Sequence, residues 1–369
     1  MLDVQILLGC LTTACVTAVA IIVLRRAAAS LGLVDRPSER KLHTDDVPLV
    51  GGLAMLAGVL AGAFWYDWRD LFTLVLLGSA AVLTLLGGLD DRYDLSVRLR
   101  LLVQAGVILA VIASTGVYIH TLGYLFNYKL ELGWLGIPFT VVAVVGLVNA
   151  FNMMDGMDGL AGGMALVSIA AIALFNSSDS AHRLLVPLLL AAAVLPYMAV
   201  NLGSTRHKIF MGDAGSIFIG YLLAWTLIRL SQASGAHMAP VDVLWCVAFP
   251  VLDTVAVMYR RLRQHQSPCT PDRGHIHHIL QNAGFSPRAS LIVLVALAIF
   301  MAFVGWVAQS LQMSPGSSMA AFLILAVAYI SFVTRIWTSQ QTRMRVPEPL
   351  SALSVNPAEK ELNREGQVL

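Results

Sequence analysis

The sequence predicts an all-α integral membrane protein that crosses the bilayer about eleven times, with its N-terminus outside and its C-terminus in the cytoplasm. Three observations carry that prediction. Apolar residues make up 57% of the 369 and charged residues 12%, with a mean hydropathy of +0.75; soluble domains carry about 25% charge. Apolar runs of spanning length recur at about 4–24, 49–66, 71–89, 100–118, 134–150, 160–176, 183–201, 214–231, 241–259, 290–309 and 318–337. All but four of the 24 Lys and Arg (Arg69, Lys129, Arg183 and Arg229) then fall on the side this count makes cytoplasmic. One missed or invented span would reverse every later loop and spoil the asymmetry. The net charge of +2 is scattered among loops and gives no reason to expect a nucleic-acid partner.

The first run is preceded by Asp3 rather than a base and continues to Leu24, too long for a cleavable signal peptide. The second opens at Gly51-Gly52 after an inside loop running from Asp35 to His43, and the third ends in Gly87-Gly-Leu-Asp-Asp-Arg-Tyr-Asp94. The fifth and sixth enclose Asn149-Ala-Phe-Asn-Met-Met-Asp-Gly-Met-Asp-Gly-Leu160. Asn201, Arg206 and Lys208 lead out of the seventh into Phe210-Met-Gly-Asp-Ala-Gly-Ser216. The ninth carries Asp253 and ends in Tyr259-Arg-Arg-Leu-Arg263, before a long internal loop, 260–289, with Asp272-Arg-Gly-His-Ile-His-His278. Residues 1–337 therefore read as one transmembrane domain and 338–369 as a polar, disordered cytoplasmic tail. None of the four cysteines forms a CxxC pair.

Every polar cluster falls on the inner side. In the central stretch two amides and two carboxylates recur at every third residue: Asn149, Asn152, Asp155 and Asp158. Each such step turns a helix by roughly 300°, so the first two share a face. Gly156 and Gly159 loosen the backbone so that the two carboxylates can turn back toward it. Oxygen ligands converging at a membrane helix end suit a hard cation or a phosphate-bearing ligand, although each alone could merely cap a helix. Asp90 and Asp91 are adjacent carboxylates, which repel and make a poor interfacial anchor; with Asp94 they also spell the Asp-Asp-x-x-Asp pattern of prenyl diphosphate sites. Asp213 stands between two glycines at a helix start, as a metal ligand or an N-cap. Phe210 beside it offers a flat surface for a base, or packs as core. His275, His277 and His278 suggest zinc, but Arg273 nearby would repel it, and with Arg260, Arg261 and Arg263 they make a better diphosphate clamp. Asp253 is either paired with Arg260 or part of the site.

These motifs, in this order, resemble those of the polyprenyl-phosphate N-acetylhexosamine-1-phosphate transferases. The resemblance covers residues 35–280 and the eleven-span topology. Ser267-Pro and His-Ile-His-His are similar to the branch that begins O-antigen and common-antigen chains with N-acetylglucosamine, unlike the three consecutive histidines of the muramyl-pentapeptide branch. It implies magnesium at Asn152 and Asp213, with manganese a possible substitute, and uridine contacts at Asp158 and Phe210. Asp90 and Asp91 match its catalytic pair, beside which Asp155 and His278 are also counted. Arg273, His275 and His277, with Asn149, belong to the substrate side. A lipid phosphate would attack the β-phosphate of a UDP-sugar at the cytoplasmic face of a bacterial inner membrane, releasing UMP. Such a phosphate is mostly dianionic at neutral pH, its second pKa being about 6, so Asp90 and Asp91 are expected to organise charge rather than act as a base. The expected partners are a UDP-sugar, undecaprenyl phosphate and the bilayer, with a homodimer allowed. A 6-deoxy-N-acetyl sugar donor, a lipid-phosphate transporter and a membrane prenyltransferase are the competing readings. A transporter would place polar residues along the full depth of its spans, which these do not.

Overall fold

The computed structural model describes residues 2–36, 46–65, 70–125, 128–176, 181–203, 207–233, 236, 238–267 and 274–345. Its helices in chain order are α1 (Leu2–Leu31), α2 (Gly51–Ala63), α3 (Leu71–Tyr93), α4 (Val97–Thr115), α5 (Gly136–Met154), α6 (Leu160–Phe175) and α7 (Leu185–Asn201). They continue with α8 (Gly212–Gln232), α9 (Pro240–Cys246), α10 (Ala248–Arg263), α11 (Ile276–Asn282), α12 (Pro287–Ser310) and α13 (Pro315–Arg345). Each predicted apolar run is a helix, the ninth as the pair α9 and α10. Among the described residues seven helices are long and apolar enough to cross a membrane, and the α9–α10 pair would make an eighth. Helices α2, α6 and α7 are shorter, at 13, 16 and 17 residues. At 1.5 Å per residue they reach about 20–26 Å, short of a hydrocarbon core of about 30 Å.

The ninth run bends by 82° at Val247. Pro250 lacks an N–H, and its ring would collide with the carbonyl of Cys246, so a straight helix cannot continue there. Elsewhere local chemistry marks the ends. Ser96 and Ser286 accept from the N–H groups of Leu99 and Ala289 at 3.3 and 3.2 Å, each an N-cap. Among the described residues two short antiparallel strand pairs were not anticipated: β1 (Val34–Asp35) with β2 (Val47–Pro48), and β3 (Thr121–Leu125) with β4 (Tyr128–Glu131). Helix α11 falls inside what reads as a loop in the sequence, and α13 continues through Thr338 to Arg345, beyond the expected end of the helix at 337. Thr338 and Thr342 tie their hydroxyls to the carbonyls four residues back, so polar composition does not stop the helix there.

Helix α8 is the central shaft. Its apolar window is 94% buried inside the protein, against 22–44% for the other six full-length helices, which face lipid. Helices α2, α3 and α5 pack directly on it. Close approach demands glycine at the α2 crossing, since a Cβ on Gly52 would lie 2.1 Å from the Gly215 nitrogen. The segment preceding α2 then runs beside the entry to α8. Phe210 donates its N–H to the Pro48 carbonyl at 2.9 Å, and Gly51 and Gly52 donate to the carbonyls of Phe210 and Met211 at 3.0 and 3.1 Å.

Candidate active site

The start of α8 is where the predicted clusters meet. Gly212 adopts φ +70°, which an L side chain resists, and the Asp91 carboxylate occupies the space a Cβ would need. From there Asp91 accepts the backbone N–H groups of Asp213 and Ala214 at 2.8 and 3.2 Å, capping α8 from a different helix. Its neighbour Asp90 turns the other way. Buried, it accepts from the Leu95 N–H at 2.8 Å and from the guanidinium of Arg100 on α4. The same Arg100 nitrogen reaches Asp213 at 3.0 Å. The adjacent carboxylates therefore do separate work, one holding a backbone and the other a cation.

Asn152 stands across from Asp213, its amide donating to Asp213 Oδ1 at 2.7 Å and to the Ser216 hydroxyl at 3.0 Å. Asn149, one turn earlier, donates to the Val145 carbonyl at 2.7 Å and shares a small polar recess with Arg100 and Gln104. Asp155 ends α5 and receives the Gly212 N–H. Although the residue keeps some solvent contact, burial of its carboxyl and then the charges of Asp213, Asp91 and Asp158 raise its pKa well above the carboxylate range. Asp158 pairs with Lys208 at 2.5 Å, and the Lys208 ammonium lies 5.2 Å from the centre of the Phe210 ring. Asn201 joins the two loops, accepting from the Gly159 N–H at 2.8 Å and donating to the Ile209 carbonyl at 2.9 Å.

The imidazole side is built differently. His275 donates through Nδ1 to the buried Asp253 at 2.8 Å. Its ring stacks on His277 at 5.8 Å between centroids, and His278 follows at 4.2 Å. His277 is buried with neither ring nitrogen partnered. Burial first, then His278 and His275, push its pKa down to about 3, so it is neutral at physiological pH. Arg273 lies outside the described residues. Asp253 is not paired with Arg260. That arginine is buried and donates to the Gly274 carbonyl, while Arg261 is buried as well, so neither is an exposed arm of a phosphate clamp. The loop between α5 and α6 touches both sides. The space beside Gly156 is filled by His277 Nε2, 2.9 Å from where a Cβ would sit, and Gln281 of α11 reaches the Met157 sulfur at 3.4 Å.

Among the described residues no three His, Cys, Asp or Glu side chains stand in metal-binding geometry, and Arg100 lies between Asp90 and Asp213. The donor chemistry still fits a hard divalent cation. The groups facing one another are oxygen-bearing, and Asp155, Asp213 and Asp91 repel in a way that a cation would relieve. Arg100, Lys208 and Asn201 were not singled out in the sequence as site residues. Their only signal there is position: each lies within a turn or two of a membrane helix end on the inner side.

The profile of glycosyl transferase family 4 matches residues 73–231. An undecaprenyl-phosphate alpha-N-acetylglucosaminyl 1-phosphate transferase of Escherichia coli (strain K12) is 38% identical over 331 residues, 88% of this chain and 90% of its own. The proteins of that description in Yersinia pestis and Haemophilus influenzae are 37% and 38% identical, over 85% and 86% of this chain and 88% and 91% of theirs.

Proposed function

The chain belongs to glycosyl transferase family 4, among the undecaprenyl-phosphate alpha-N-acetylglucosaminyl 1-phosphate transferases, and from that premise we propose how its site works. It transfers N-acetylglucosamine-1-phosphate to undecaprenyl phosphate in a bacterial membrane. The donor is UDP-N-acetylglucosamine, and the reaction takes place at the cytoplasmic face of an eleven-span protein. An oxygen of the lipid phosphate forms a bond to the β-phosphorus, and the bond from that phosphorus to the bridging oxygen breaks. UMP leaves with the bridging oxygen. The nucleotide is soluble and the lipid enters sideways from the bilayer, so the phosphates must meet at a membrane surface.

Asn152 and Asp213 are the residues that would hold magnesium, which when bound neutralises the diphosphate and stabilises charge on the transferring group. Phe210 and Asp158 receive the uridine, which must displace or share the place of Lys208. The loop with Arg273, His275, His277 and His278 closes on diphosphate and sugar, where donors in a site shielded from water stabilise the transition state most. Asp90 holds Arg100 beside the reacting phosphates, and Asp91 holds the start of α8. No base is required of either, since the attacking phosphate is already ionised.

The observation that carries this proposal is the contact of the 155–159 loop with both the carboxylates and His277. Incubating purified protein with undecaprenyl phosphate and a panel of labelled sugar nucleotides should give lipid-linked label and UMP, fastest with UDP-N-acetylglucosamine and not at all with a chelator. Faster transfer from a 6-deoxy sugar nucleotide would overturn the sugar, and indifference to chelation would overturn the metal.

A further inference from the structure

Asp253 and the last helix are not used by the mechanism above. Asp253 is buried on α10, and its two oxygens take three hydrogen bonds. Oδ2 accepts from His275 Nδ1 at 2.8 Å; Oδ1 accepts from the Ile276 N–H at 3.3 Å and from the Tyr329 hydroxyl of α13 at 3.2 Å. A buried carboxylate in such company stabilises no more than a well-packed apolar group would. What it does is orient: it holds the proton on Nδ1 of His275 and leaves Nε2 for a ligand. Helix α13 adds two more contacts. Trp337 lies 5.7 Å from the Arg260 guanidinium, which itself donates to Gly274, and Gln340 donates to the Ile279 carbonyl at 3.0 Å. Residues eight and eleven positions beyond Tyr329 return to within about 80° of it around the helix, so one face of α13 makes all three contacts.

We propose that Asp253 and Tyr329 are positioning residues for sugar-phosphate transfer, which fix the ring of His275 and through it the register of the imidazole loop against the carboxylate loop. The proposal rests on the assignment of that loop to the diphosphate and sugar. The coupling is physical: His275 stacks on His277 with planes 12° apart, and His277 fills the space beside Gly156. A swing of the first ring therefore displaces the second and opens the seam between the two halves. Nothing in Asp253 or Tyr329 reaches the nucleotide seat at Phe210 and Asp158, so nucleotide affinity should not depend on them.

The test uses full-length protein with Asp253→Asn or Tyr329→Phe. In Asp253→Asn the new amide N–H faces Nδ1, which drives the ring proton to Nε2. The expected results are kcat lower by roughly ten- to a hundredfold, UMP affinity within about twofold of wild type, and unchanged thermal unfolding. The His275 ring-nitrogen resonances, assigned with His275→Gln, should exchange protonated and unprotonated character. Tyr329→Phe should lower kcat by about threefold, with UMP binding intact. Wild-type kcat in a folded Asp253→Asn overturns the proposal, as does loss of transfer matched by equal loss of UMP binding. If Asp253→Asn does not fold, wild-type kcat in Tyr329→Phe overturns it. Failure of the wild-type protein to bind UMP or transfer sugar phosphate would instead overturn the reaction itself.

Discussion

Where α3, α5 and α8 meet, Asp90 and Asp213 share the Arg100 guanidinium, with Asp91 and Asp155 close by; between α10 and α11 a single carboxylate, Asp253, holds His275, the Ile276 N–H and the Tyr329 hydroxyl. The first half has mutually repelling carboxylates, whose charge protonation or a further cation would relieve. The second holds a buried histidine, His277, with neither ring nitrogen partnered. A diphosphate held between them with a divalent cation would complete both at once, with the metal on the acidic side and the phosphate oxygens on the other. The difference teaches why, on the proposed mechanism, the reaction would need both halves.

The sharpest way to break the comparison is to remove oxygen ligands from the acidic half. Asp213→Ala and Asn152→Ala should each abolish turnover, by about a thousandfold or more, while thermal unfolding stays close to wild type. Substantial activity in either at limiting magnesium would take that residue out of the metal seat. A smaller effect is expected from the guanidinium. Arg100→Met leaves Asp90 and Asp213 without their shared counter-ion. Manganese binding, followed by electron paramagnetic resonance, should tighten several-fold even as turnover falls about a hundredfold. Weaker manganese binding would mean that Arg100 builds the seat rather than fills it.

The smallest effect is on stability, and its sign differs between the halves. Asp155 has a raised pKa in the fold, so its contribution is present at low pH and lost as pH rises through the folded value. His277 is pushed down to about 3 from 6.5, so its contribution is present above pH 6.5 and lost as pH falls toward 3. Thermal unfolding against pH should therefore show a fall as pH rises above the ordinary carboxylate range, which Asp155→Asn flattens, and an acid fall that His277→Gln flattens. One variant flattening both arms would show that the halves titrate as a single unit.

Much of this was legible in the chain. The apolar runs set the helices because backbone polar groups in lipid must be satisfied within the segment, so length and composition suffice. The carboxylates and amides stood out because such residues at membrane helix ends have few bland uses. The three-residue spacing of Asn149, Asn152, Asp155 and Asp158 identified the loop between α5 and α6. What composition could not decide was which partner each group takes. Asp90 and Asp91 are neighbours in sequence, but one faces Arg100 and the other caps α8, because successive side chains on a helix point about 100° apart. Asp253 pairs with His275 and Tyr329 rather than Arg260, seven residues away, although only the nearer partner lies on its own helix. The short α11 and the three helices below spanning length were likewise not legible in the apolar runs, whereas the 82° bend at Val247 has a local cause in Pro250. Periodicity reports which residues avoid water or lipid. Which groups meet depends on contacts between residues far apart in the chain, such as Asp91 with the backbone of Asp213, 122 positions away, and Asp70 with Arg229, 159 away, and these exist only once α3 and α8 have packed.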